Sequence, residues 1–183
     1  MKSDRGHEYV DIGFQYYILG RKSALFRFMP VTANIFHHSF EMLLKGKLLS
    51  SHKPENLYNT YKHDLPSMWN DFVSLTGAKN ASSFNKTVNL LHRWEDIRYP
   101  NFPGNKAIGM SLGIRKAPKM RSVGPLAKKQ IVFDIILEDM DELFKFTFLN
   151  WPLNPDYFKN FLCYGFDSEK MEAYEKDNFH KVW

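Results

Sequence analysis

The spacing of apolar residues along the first half of the chain predicts helices. From His7 to Phe28, the residues Tyr9, Ile12, Tyr16, Leu19 and Phe26 recur at helical intervals, and Val10, Phe14, Tyr17, Leu25 and Phe28 widen the stripe. A mostly buried first helix is expected. Gly13 and Gly20 lie about two turns apart on one side of it, where missing side chains let another helix come close. Pro30 suits the first position of a second helix, where its absent N–H leaves nothing unpaired, and VTANIFHHSFEMLLKGKLL continues without a breaker. Ala33, Phe36, Phe40, Leu43 and Leu44 form its apolar face, while Asn34, His38, Glu41 and Lys45 form a polar row at intervals of four, three and four.

SSHKPENLYNTYK reads as a loop. HDLPSMWNDFVSLTG reads as a third helix, capped by Asp64, with Pro66 in its first turn and Leu65, Met68, Trp69, Phe72 and Val73 inward. A fourth runs from about Ser82 or Ser83 to Ile97, with Phe84, Val88, Leu90, Leu91, Trp94 and Ile97 inward, until the prolines of RYPNFPG stop it. ILEDMDELFKFTFL gives a fifth, packed by Ile136, Met140, Leu143 and Phe144. Two shorter helices are expected from Asn154 to Leu162 and from Ser168 to Val182.

Between Pro100 and Phe133 the composition changes: Lys106, Arg115, Lys116, Lys119, Arg121, Lys128 and Lys129 occur there without an acidic residue. This is a loop-rich basic insertion in which KAIGMSLGI and QIVFDI can pair as a small β-hairpin. The expected fold is all-α: one domain over 1–183, an up-down bundle of four to five helices with the insertion at about 100–133 and C-terminal helices. With 44% hydrophobic residues, including 16 Phe, the chain has the apolar surface to build a core. That aromatic content, beyond the usual need of one bundle, points to a homodimer.

No stretch approaches the roughly 20 apolar residues that span a bilayer, and the N-terminus lacks the apolar run of a signal peptide, so the expected address is cytoplasmic, away from membrane. Cys163 is the single cysteine, which excludes an internal disulfide and a thiolate metal cluster. A net charge of +5 favours anionic partners.

FHHSFEMLLKGKLL on the second helix, then a loop, HDLPSMW and a helix ending in IRYPN, resembles the HEPN family over about residues 9–103. Glu41 and Leu44-Lys45 match the family's helix-two pattern, and His63-Asp64-Leu65 match its following His-Asp-Leu. The resemblance implies an up-down bundle that commonly dimerises. It also implies binding of nucleotide, RNA or a partner protein such as a nucleotidyltransferase, as in toxin-antitoxin or defence systems. The family's metal-independent ribonucleases carry an Arg followed four to six residues later by His. Here Arg98 is followed by YPNFPGNK, no other arginine has a histidine at that distance, and His92 precedes Arg98. The implied member is a non-catalytic binding module without cofactor, and the alternatives are a degenerate ribonuclease and a structural helical dimer.

The candidate ligand site comprises Lys45, His63 and Arg98 converging on an anion, with Glu41 orienting Lys45, His38 on the same row and Tyr99 at the rim. The competing readings are an exposed Glu41–Lys45 helix pair, a His63 bonded to backbone beside the Asp64 cap, and an Arg98 that complements a helix C-terminus. Arg115, Lys116, Lys119 and Arg121 are candidate nucleic-acid contacts, against neutralisation by the acids of 138–142. His37 and His38 point about 100° apart, and His63 with Glu41 makes only two ligands, so no metal site is expected.

Overall fold

The computed structural model describes residues 5–26, 28–95, 108–113 and 131–150. It is predominantly helical: α1 (Arg5–Leu25), α2 (Met29–Leu48), α3 (Pro54–Tyr61), α4 (Leu65–Thr76), a 3-10 turn (Ala81–Phe84), α5 (Asn85–Arg93), β1 (Ile108–Gly113), β2 (Ile131–Ile136) and α6 (Leu137–Leu149). No described helix is long and apolar enough to cross a membrane. The expected helices at 154–162 and 168–182 lie outside the described residues.

Helices α1 and α2 form an antiparallel hairpin. A Cβ built on Gly20 would lie 2.9 Å from the Phe36 ring, one on Gly13 would lie 3.0 Å from the Ser39 carbonyl, and Gly6 sits equally close to Gly46. The glycines expected to admit a second helix therefore do so, and Ser39 Oγ donates to the Gly13 carbonyl across the contact. This choice of face corrects the expected stripe on α1. Ile12, Tyr16, Leu19 and Phe26 are exposed, whereas Val10, Phe14, Tyr17 and Ala24 are fully buried. Val10, Tyr17 and Ala24 are three or four residues from Gly13 and Gly20, so they share the side that the glycines commit to α2.

The other helix faces follow the pattern more closely. Ala33, Phe36, Phe40, Leu43 and Leu44 on α2 are fully buried, as are Met68 and Phe72 on α4 and Leu91 and Trp94 at α5. Ile97 lies outside the described residues. Asp64 caps α4 by accepting from the Ser67 N–H, and Gly77 ends it with φ +64°, a left-handed C-cap. The segment expected as a loop carries α3 instead. Pro54 opens it, Glu55 sits in its first turn, and Leu57 and Tyr61, one turn apart, are buried.

Helix α6 closes the core. Phe144 stacks on Tyr17 with centroids 4.4 Å apart and meets Phe40 edge-on at 5.7 Å, while Phe146 lies against Phe84 at 4.7 Å. A buried ion pair fixes the helix to α1: Arg21 Nη1 donates to both Asp141 oxygens at 3.0 and 2.9 Å, and the Tyr17 hydroxyl donates to Oδ1. The two strands are present where the pattern put them, but they pair in parallel, Ile108 opposite Ile131 through Gly113 opposite Ile136, rather than as a hairpin. Residues 114–130 exceed the dozen or so that a parallel crossover requires, so the long connection permits this arrangement.

Candidate functional site

Helix α2 is buried nearly all round, and this makes its polar row consequential. Glu41 is 1% exposed and Lys45 is 7% exposed. A carboxylate so placed must be met by donors. Lys45 Nζ donates to Glu41 Oε1 one turn along the helix. His38 brings Nδ1 to 3.4 Å from Oε2 from the preceding turn. His63 Nδ1 lies 3.1 Å from each carboxylate oxygen. The exposed helix pair and the backbone-bonded His63 are thereby corrected: the pair is buried, and the imidazole bonds to Glu41. Burial pushes the Glu41 carboxyl up, but hydrogen bonds from His38, Lys45 and His63 and the Lys45 charge outweigh it and hold the group down at about 2. Glu41 is a fixed anion.

His63 arrives from a strained turn. Lys62, just after α3, has φ +49° and ψ −102°, a backbone state that a residue with a side chain rarely adopts. It reverses the chain so that His63 faces α2 while Asp64 starts α4. With 45% of its side chain exposed, His63 forms a rim of the cluster, and His38 at 29% forms another.

His37 belongs to the same cluster, a placement the adjacent-histidine argument missed. It is fully buried, and Nδ1 lies 2.9 Å from the Leu91 carbonyl of α5. A carbonyl only accepts, so Nδ1 carries the proton. Burial pushes the His37 pKa below its usual value, against raising contributions from the Leu91 bond, Glu95 and Glu41, so the ring is neutral at neutral pH and Nε2 bears a lone pair. That nitrogen has no hydrogen-bond partner, and it faces Glu41 Oε2 at 3.7 Å and Glu95 Oε2 at 3.6 Å. The signal for it was available: His37 precedes Glu41 by one helical turn.

The structure thus brings together Lys45, Glu41, His38 and His63 of the expected site and adds His37. Arg98 and Tyr99 lie outside the described residues, as do Arg115, Lys116, Lys119 and Arg121 of the basic insertion. Chemically, the cluster pairs one buried anion with one ammonium and three imidazoles, two of them reachable from solvent. Comparison with known proteins finds no family model, no curated protein and no solved structure that matches the chain.

Proposed function

We propose that the chain is a HEPN-like, non-catalytic binding module whose site, at Glu41, Lys45, His38 and His63, takes a phosphate-bearing ligand, a nucleotide or RNA. The observation that carries this reading is the convergence of Lys45 and His63 on one buried carboxylate beside a solvent-reachable rim. Glu41 holds the lysine and the imidazole in place, so an incoming phosphate meets preorganised donors and the ordering cost is already met. The match of Glu41, Leu44-Lys45 and His63-Asp64-Leu65 to the family pattern supports the family, and the absent Arg-to-His signature supports binding over cleavage.

A thermal-shift screen with nucleotides and short RNAs tests it. A ligand present at one hundred times its dissociation constant adds about 2.7 kcal/mol of stability. Lys45→Ala and His63→Ala should each remove the shift, and Lys119→Ala in the basic insertion should reduce it less. No shift with any member of the screen, or equal losses in all three variants, contradicts the reading.

The exposed row Ile12, Tyr16 and Leu19 on α1 favours a second reading, in which the bundle also pairs with a copy of itself. Light scattering at micromolar concentration should give the mass of a dimer, and Leu19→Glu should return it to that of a monomer.

A further inference from the structure

We propose that His37, Glu41 and His63 form a binding site for a divalent transition metal of the zinc class, with the fourth position open to solvent. The proposal goes beyond the phosphate reading and does not depend on it. One ligand atom from each of the three residues lies within 4.8 Å of the other two. Bonds of about 2.0–2.1 Å to a tetrahedral ion place ligand atoms about 3.3 Å apart. Two of the three separations here bracket that value: 3.7 Å from His37 Nε2 to Glu41 Oε2, and 3.1 Å from His63 Nδ1 to the same oxygen. The third, between the two imidazoles, is within 4.8 Å.

The independent observation is His37. Its Nε2 is buried and unpartnered, and as a lone pair it faces carboxylate oxygens of Glu41 and Glu95. A buried lone pair turned toward carboxylate oxygen is unfavourable, and a cation held between them relieves it. The rest of His37 matches what a ligand requires, since its other nitrogen donates to the Leu91 carbonyl and so fixes both tautomer and ring orientation. Lys45 plays the equivalent part for the carboxylate by holding Oε1, while Oε2 faces His63, itself a ligand of the proposed site, with His38 Nδ1 beside it at 3.4 Å. Two imidazoles with one carboxylate suit zinc and its neighbours, whereas magnesium and calcium require oxygen donors. On binding, the ion takes the Nδ1 position through which His63 meets Glu41, and the neutral ring carries its one proton on Nε2.

The test uses the full chain without an added histidine tag, freed of metal by chelator and dialysed. Calorimetric titration with zinc should give one ion per chain at a dissociation constant below about 1 µM. Cobalt in its place should give the intense visible absorption of a tetrahedral centre, and His63→Cys should add a sulfur charge-transfer band. His37→Gln, Glu41→Gln and His63→Gln should each weaken zinc by about 100-fold or more, and His52→Gln should change nothing. His63 stands half-exposed on a turn, so its variants keep their helical circular dichroism and report on the site even where His37→Gln does not fold. Absence of saturable binding tighter than about 10 µM by the folded parent, unchanged affinity in His63→Gln, or equal competition by magnesium overturns the proposal.

Discussion

Asp141 and Glu41 are both buried carboxylates on helices, and they are held in opposite ways. Asp141 is gripped by Arg21, whose Nη1 reaches both oxygens, and by the Tyr17 hydroxyl. Its partners are themselves buried, and they join α6 to α1. Glu41 is met by a lysine and by imidazoles, two of them reaching the surface. One arrangement is closed and serves as a bolt between helices. The other is charged, rimmed by solvent and next to an imidazole nitrogen that bonds to nothing. A buried charge therefore says little by itself, and whether its partners reach solvent distinguishes a lock from a site.

The largest expected effect is at the lock. Arg21→Ala takes from buried Asp141 the cation that meets both its oxygens, and chemical denaturation should show a loss of about 3–5 kcal/mol, whereas Arg21→Met combined with Asp141→Leu should recover most of it. A single variant as stable as the parent would place Asp141 in contact with water and dissolve the distinction. At the site, Lys45→Met should cost less, about 1–2 kcal/mol, because His38 and His63 still serve Glu41. A loss matching that of Arg21→Ala would make Glu41 a second lock. His63→Ala, half-exposed, should cost under about 1 kcal/mol in the same denaturation series. A shallower contact calibrates both: the Tyr61 hydroxyl donates to Asp71 at 2.5 Å. Burial, and then Asp71, push the Tyr61 pKa up to about 12. A raised pKa contributes stability below the ordinary value near 10 that is lost as pH rises from there toward 12. Melting temperature should fall over that interval by the equivalent of about 1 kcal/mol more in the parent than in Tyr61→Phe.

The helices of the bundle were legible because burial imposes a period on the sequence, and α2, α4 and α6 obey it with few exceptions. Helix α1 carries two apolar stripes side by side, and periodicity cannot rank them. Gly13 and Gly20 could have, since the buried stripe is the one they flank. Helix α3 was obscured by its polar composition, although Pro54, Leu57 and Tyr61 mark its start and inner face. Strand direction depends on the path of 114–130, which local pattern does not encode. At the site, the row on α2 and the loop histidine were readable, but their depth was not, because burial of Glu41 and Lys45 is decided by α4 and α5 arriving from later in the chain. His37 was passed over although its place one helical turn before Glu41 puts both on one side of α2.

The bonds that seat α6 on α1 span 120 and 124 residues. Phe144 follows Leu48, the last residue of α2, by 96 residues, which a ribosome adding about 5–20 residues per second takes roughly 5–20 seconds to make. For that time the α1–α2 hairpin exists with Tyr17, Phe36 and Phe40 lacking the aromatic ring of Phe144 that covers them in the finished protein. The nascent chain thus presents a sticky aromatic face well before it can hide it, and its yield in a cell will depend on what shelters that face in the interval.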